Sequence, residues 1–169
     1  MSAQAAPGLR VGVYGGAFDP PHWAHVDMAK AFVAQCVLDR LLVLPTGQAW
    51  HKANQPLSPS VHRVAMAQLA FAELPQATID ARETQRPGPS FTIDTLTELD
   101  GCYPGASWYL LVGADQWTRF TAWHRWQDIA NKATIVVADR PNSPSVGLSK
   151  NLQNAPRSTS DLPDAVPLN

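Results

Sequence analysis

Short apolar runs rich in β-branched and aromatic residues alternate along the chain with longer stretches whose apolar positions recur at helical spacing. The predicted strands lie at 9–14, 40–45, 77–80, 107–113 and 133–139. The predicted helices lie at 23–37, 58–74, 91–100 and 125–131. Ser58 is the expected N-cap of the second helix, with a proline directly inside it.

This alternation predicts an α/β fold with a doubly wound parallel sheet in a single domain. Continuously apolar strands such as "LLVL" fit burial on both faces of the sheet. Ligands of such sheets lie beyond the carboxyl ends of the strands, so each loop that follows a strand is a candidate wall of the site.

The composition is that of a globular protein, with 169 residues, 45% hydrophobic, 16% charged and a net charge of −1. The near balance of charge disfavours a nucleic-acid partner. No apolar run approaches the roughly 20 residues that span a bilayer, and the first residues lack a secretory h-region. We therefore expect a cytoplasmic protein with no membrane association and a buried Cys36. A homo-oligomer remains open.

The stretch from residue 142 to 169 differs from the rest because it is rich in proline, serine and asparagine and has no sustained apolar period. It predicts a loop-like or poorly ordered tail. The predicted domain is therefore 1–141.

The first strand-to-helix turn, "GGAFDPPHWAH" at 15–25, concentrates the candidate chemistry. Gly15 and Gly16 permit positive φ and close approach of a ligand to the backbone. The following helix presents free N–H groups that favour an anion. The spacing matches neither the dinucleotide fingerprint nor the P-loop. The turn therefore predicts a phosphate site of another kind.

His22 and His25 are three residues apart at this helix start and are predicted to project from the same side. Two imidazoles there can donate hydrogen bonds to a polyphosphate and stabilise the charge of phosphoryl chemistry. Histidines that only cap and pack are the alternative. Zinc is a weaker one, because no third ligand stands nearby with a familiar spacing, and we predict no resident metal site.

"GGAFDPPHWAH" resembles the G-G-x-F-D-P-x-H-x-G-H signature of the nucleotidylyltransferase superfamily, and most closely that of the nicotinate-mononucleotide adenylyltransferases. Ala24 stands where that family usually has glycine. The resemblance implies a Rossmann-like fold and adenylyl transfer from ATP to nicotinate mononucleotide, in NAD biosynthesis. Mg²⁺ would be carried on ATP.

Further stretches resemble the same family in the same order. "LLVLPTGQAWHK" implies that Lys52 contacts phosphate, although a lone loop lysine is otherwise a surface residue. "PSFTIDTL" implies that Thr92 binds the nicotinate substrate, with an ordinary helix cap as the alternative.

"LLVGADQWTRFTAWHRWQDI" implies that Asp115 holds a ribose hydroxyl and that Trp123 stacks on the nicotinate ring. A stripe of core aromatics is the alternative, and we prefer it for Trp117 and Phe120. "VVADRP" implies that Arg140 contacts ATP.

The resemblance thus implies three overlapping sets of site residues. The catalytic set is His22, His25 and Lys52. The ATP-binding set is Gly15, Gly16, Phe18, His22, His25, Gly113, Asp115 and Arg140. The set for nicotinate mononucleotide is Gly16, Lys52, Thr92 and Trp123.

One departure from the family pattern keeps other functions open. The family's I-S-S-T-x-I-R-like motif is not found in the tail, so either the chain stops before it or part of a triphosphate site is lost. A non-catalytic nucleotide-binding relative is therefore one alternative. A related transferase that acts on phosphopantetheine or nicotinamide mononucleotide is another alternative.

Within the first turn, Asp19 is expected to build the turn or to contact a metal indirectly.

Overall fold

A single six-stranded sheet organises the computed structural model, which describes residues 8–47, 57–88, 90–138 and 148–151. The strand order is β3-β2-β1-β4-β5-β6. The strands are β1 (Arg10–Gly16), β2 (Arg40–Pro45), β3 (Ala77–Ile79), β4 (Ser107–Gly113), β5 (Ala133–Ala138) and β6 (Leu148–Asn151). The first five pair in parallel and β6 pairs antiparallel with β5. The predicted α/β parallel sheet is confirmed.

The helices cover both faces of this sheet. They are α1 (Trp23–Cys36), α2 (Ser60–Ala70), α3 (Arg82–Gln85), α4 (Thr92–Cys102), α5 (Ala114–Trp117) and α6 (Trp126–Lys132), with a 3-10 turn at Phe120–Ala122. The four predicted helices are present. The sequence did not predict α3, α5 and the 3-10 turn, because these segments have too few residues to show a helical period.

Two apolar cores lie on opposite faces of the sheet, and the strands alternate between them. On β2, Leu42 and Leu44 pack with α4 residues such as Leu96 and Leu99. Leu41 and Val43 point the other way and pack with α1. All four strand residues are buried, as a strand covered on both faces requires. Cys36 is also buried, as predicted.

The start of α2 corrects the sequence prediction. Ser58 is not the N-cap, because Pro59 holds that position and the helix begins at Ser60. The backbone of Ser58 is engaged elsewhere: its N–H donates to Asp19 and its carbonyl accepts from Arg63. The C-terminal end is also earlier than predicted, at Ala70.

The tail contains one element that the sequence did not predict. Leu148–Asn151 form β6 along the edge of β5, which corrects the expectation of a loop there. Its four residues carry too weak an apolar pattern to identify it as a strand.

The described residues contain no helix long and apolar enough to cross a membrane.

Candidate active site

The candidate site lies where the strand order reverses. The chain runs from β1 outward to β3 and then returns to β4 on the other side of β1. In open α/β sheets this reversal leaves a crevice beyond the carboxyl ends of the strands. Gly16 ends β1 beside Pro45 of β2, and Gly113 ends β4 beside Ala138 of β5. The turns after β1 and β4 therefore lie at the same edge of the sheet.

The backbone of the β1 turn differs from the sequence prediction. Gly15 and Gly16 belong to the strand, and neither has the positive φ expected of them. That conformation falls instead on Phe18, whose φ is 48°. Gly16 packs tightly, since an added Cβ would lie 3.3 Å from the Phe18 ring and the ring would have to shift by a few tenths of an ångström. At Gly15 the nearest atom would be 3.8 Å away, an ordinary contact.

The side chains of His22 and His25 meet at the start of α1, as their spacing predicts. Their rings stack with centroids 4.0 Å apart and planes 27° apart. The backbone N–H of His22 donates to Nδ1 of His25 at 3.1 Å. A neutral imidazole that accepts at Nδ1 carries its proton at Nε2. His25 therefore offers an Nε2–H donor, and it also caps the helix, as the alternative interpretation expected.

The environment of His25 keeps it neutral at physiological pH. Burial, and then the neighbouring His22, lower the pKa of His25 from 6.5 to about 4. The Phe18 ring lies edge-on at 5.1 Å and Tyr14 lies at 6.5 Å. Burial also raises the pKa of the Tyr14 phenol, so it is neutral as well. His25 is thus backed by the rings of Phe18 and of an uncharged Tyr14.

On the β4 side, the residues predicted to contact ligand are open at the sheet edge. Asp115 is exposed on α5, directly after the strand. A Cβ added at Gly113 would meet no atom within 4 Å. Both residues therefore leave room for a ligand at the carboxyl edge.

The α4 side brings together residues from two predicted stretches. Thr92 is the first residue of α4 and does not cap it; Phe91 occupies the N-cap position. The Phe91 ring lies 4.5 Å from the ring of His124, which the sequence analysis did not single out. Trp123 is partly buried and lies 5.3 Å from the ring of Phe120.

The predicted core positions of Trp117 and Phe120 are confirmed, at 5% and 0% exposure. Two other predicted site residues, Lys52 and Arg140, lie outside the described residues. The structure therefore places the turn residues and those of the β4 edge at the same edge of the sheet, and these two basic residues fall outside the described part of the chain.

Sequence reasoning missed Arg63, which is 1% exposed and donates to four backbone carbonyls around the turn. The four-residue spacing of Arg63, Ala67 and Phe71 in the sequence could have identified it, because this spacing puts the arginine on the apolar face of the helix. The structure buries all three side chains. An arginine on that apolar face needs internal partners.

A second missed group joins α3 to α4. The Thr95 hydroxyl donates to Oε2 of Glu83 at 2.8 Å and accepts from Arg86 at 3.1 Å. Arg86 also forms an ion pair with Glu98 at 2.8 Å. This group fixes the start of α4, where Thr92 lies.

A resident metal centre has no ligand set in the part of the chain that the structure describes. There, no group of three or more His, Cys, Asp and Glu side chains comes together. A cation that enters on a substrate would use that substrate's oxygens as its main ligands.

Comparison with known proteins agrees with this arrangement. The model of the cytidylyltransferase-like family matches residues 13–164, and the chain belongs to that family. Its fold and its turn of glycines and histidines are thus those of a nucleotidyltransferase.

Within this family the curated relatives share one name. A protein of Albidiferax ferrireducens named "Probable nicotinate-nucleotide adenylyltransferase" is 50% identical over 149 residues, which cover 88% of this chain and 75% of the relative. One of Methylibium petroleiphilum with the same name is 41% identical, over 83% of this chain and 68% of the relative. The chain is thus a member of the nicotinate-nucleotide adenylyltransferase group.

A solved structure supports the fold at low sequence identity. Plasmodium falciparum nicotinic acid mononucleotide adenylyltransferase, complexed with NaAD, aligns with a TM-score of 0.68 at 17% identity. The alignment covers 79% of this chain and 65% of that one. It confirms the Rossmann-like α/β architecture.

Proposed function

We propose that this chain transfers the adenylyl group of ATP to nicotinate mononucleotide, which yields nicotinate adenine dinucleotide and pyrophosphate. The relatives named above carry this activity in their names, at up to 50% identity. The reaction would serve NAD biosynthesis in the cytoplasm.

In this reaction a 5′-phosphate oxygen of nicotinate mononucleotide attacks the α-phosphorus of ATP. The bond from that phosphorus to the bridging oxygen breaks, and pyrophosphate leaves with the electron pair. The substrate phosphate is itself the nucleophile, so the reaction needs no adenylylated side chain. Catalysis then rests on positioning and on stabilising the charge of the pentacoordinate centre.

The ATP phosphates are assigned to the β1 turn. Gly15 and Gly16 let them approach the backbone, and His22 and His25 donate hydrogen bonds to them. Phe18 packs beneath His25 with its ring 2% exposed, and this supports a fixed donor direction. Mg²⁺ would arrive on the triphosphate and offset its charge.

The nucleoside parts are assigned to the edges on either side of the turn. Gly113 and Asp115 would contact the adenosine of ATP, with Asp115 accepting from a ribose hydroxyl. Thr92 and Trp123 would hold nicotinate mononucleotide, with Gly16 at its phosphate. Lys52 and Arg140 would add positive charge to the acceptor phosphate and to ATP respectively.

The observation that carries the proposal is the neutral His25, which is stacked on His22 with its Nδ1 occupied. This geometry fixes an Nε2–H donor at a helix N-terminus where anions are favoured.

The test is pyrophosphate release by the purified chain with ATP, Mg²⁺ and one of three acceptors. These are nicotinate mononucleotide, nicotinamide mononucleotide and phosphopantetheine. We expect turnover on the first, with the dinucleotide identified by mass. Preference for either other acceptor would move the chain to a related transferase. ATP binding by calorimetry, with no turnover on any acceptor, would favour a non-catalytic nucleotide-binding protein.

A further inference from the structure

Arg63 of α2 is among the largest fully buried side chains of the described residues, at 1% exposure. Its guanidinium donates to the carbonyl of Ser58 at 2.8 Å, Ala17 at 3.1 Å, Thr46 at 2.6 Å and Gly47 at 3.2 Å. These carbonyls belong to three separate segments, which are the β1 turn, the end of β2 and the entry to α2. A buried charge with this many backbone partners fixes those segments relative to one another.

Asp19 closes this arrangement from the other side of the turn. Its Oδ2 accepts from the backbone N–H of Ser58 at 2.8 Å. Hydrogen bonds with the backbone and side chain of Ser58 lower the pKa of Asp19, so it is ionised at neutral pH. Ser58 is thereby held by Asp19 at its N–H and by Arg63 at its carbonyl. We call this set of four residues, Ala17, Asp19, Ser58 and Arg63, the turn tether.

The turn tether brackets a residue whose backbone conformation needs support. Phe18 lies between Ala17 and Asp19 and has a φ of 48°, a conformation that is costly for a residue with a Cβ. Its ring packs at 5.1 Å from His25 and 5.8 Å from Phe71. A relaxed turn would therefore move the ring that backs His25.

We propose that Arg63 and Asp19 are positioning residues for the reaction: through the turn tether they hold Phe18, and Phe18 holds His25 in its phosphate-facing orientation. This inference rests on the proposed function. Lysine cannot replace Arg63 in this role, because its ammonium is a compact group with three donors, whereas the planar guanidinium spreads five over a fork.

The kinetic test compares Arg63→Lys, Asp19→Ala and the double variant. We expect kcat to fall about 10- to 100-fold in each single variant, the scale of a misplaced catalytic group. The KM for nicotinate mononucleotide should change by less than about threefold, whereas the KM for ATP should rise, because His25 also donates to the ATP phosphates before the transition state. The double variant should lose much less than the product of the two single losses, since both residues act on one turn.

Arg10→Lys is the matched control. Arg10 also donates twice to a backbone carbonyl, that of Cys36, at 2.9 and 2.7 Å. It lies at the amino end of β1, away from the carboxyl edge. We expect this variant to keep kcat within about twofold of the wild type.

A second measurement does not depend on turnover. NMR titration of the His25 imidazole should give a midpoint near 4 in the wild type and in Arg10→Lys. In Arg63→Lys and Asp19→Ala it should move up toward the ordinary value of 6.5, because the ring loses its cover. Asp19→Ala keeps the buried arginine and provides this test even if Arg63→Lys fails to fold.

The proposal is overturned if the folded variants keep the wild-type His25 midpoint and lose activity only in proportion to their unfolded fraction. A wild type with no turnover on any acceptor refutes the proposed function instead. In that case the titration still decides whether the turn tether sets the state of His25.

Discussion

His25 carries the most specific claim about a single residue. It offers one fixed donor at the turn, with the other nitrogen bound to the N–H of His22. We expect His25→Ala to lower kcat by about 10² or more, the scale of one lost preorganised donor. Steady-state pyrophosphate release measures the change. His62→Ala is the control, since His62 lies on an exposed side of α2. A His25→Ala variant with nearly normal kcat would remove this residue from the mechanism.

The lowered pKa of His25 also predicts how stability varies with pH. The pKa of His25 is about 4 in the folded state and 6.5 in the unfolded state. Between these values the unfolded chain binds more protons, so the free energy of unfolding rises with pH across this window. The contribution of the neutral His25 to the free energy of unfolding is complete above pH 6.5 and is lost as the pH falls to 4.

Urea unfolding at pH 7 and pH 5 tests this prediction. The wild type should lose more stability at pH 5 than a His25→Gln variant, which has no group to titrate there. Equal losses in the two proteins would show that the His25 pKa is not lowered by folding.

The joint between α3 and α4 makes a prediction at the scale of elements. Thr95 is buried and its hydroxyl donates to Glu83, whose pKa is raised because burial outweighs the opposing effects of Thr95 and Arg86. We expect Thr95→Val to lower the free energy of unfolding by about 1–3 kcal/mol, because it leaves the buried Glu83 carboxylate without this donor. Urea denaturation at pH 7 provides the measurement.

Thr97→Val is the control for this substitution. The Thr97 side chain is exposed and its hydroxyl bonds to the carbonyl of Ile93 within its own helix. We expect its loss to stay within about 0.5 kcal/mol. Comparable losses in the two variants would mean that the Glu83 contact adds no stability.

The elements that sequence could predict are those with a long apolar signal. The five parallel strands and α1 carry continuous or periodic apolar positions, and β2 and β4 match their predicted bounds. Ser58 shows where this reasoning fails. Its residue type favours a cap, but its backbone N–H donates to the carboxylate of Asp19 and its carbonyl accepts from the guanidinium of Arg63. Asp19 is distant in sequence and Arg63 faces the interior, so neither contact can be read from the local sequence.

At the site, the sequence identified the residue types and missed their support. The spacing of His22 and His25 predicted their pairing, because helix geometry fixes neighbours three residues apart. The positive φ was assigned to glycines by residue type and lies instead at Phe18. Tertiary contacts hold that conformation, and no local sequence pattern encodes them.

The proposed function spreads its ligand contacts along one edge of the sheet. Under that proposal the β1 turn would donate to phosphate, Asp115 after β4 would hold a ribose hydroxyl, and the partly buried Trp123 would stack on the nicotinate ring. If these assignments are right, a dinucleotide contacts both flanks at once, whereas a mononucleotide contacts only one. Linking two ligand halves makes the second contact intramolecular, so affinity gains more than the sum of separate weak contacts.

We therefore expect nicotinate adenine dinucleotide to stabilise the chain more than AMP or nicotinate mononucleotide at equal concentration. A ligand at 100 times its Kd adds about 2.7 kcal/mol to folding stability, and one near its Kd adds well under 1 kcal/mol. Thermal unfolding with each ligand measures the difference as a shift in Tm, and nicotinamide adenine dinucleotide tests the preference for the acid. If the dinucleotide raises Tm no more than AMP does, the nicotinate half lies outside this edge of the sheet. If it raises Tm more in the wild type but only as much as AMP in Trp123→Ala, the nicotinate half binds at Trp123.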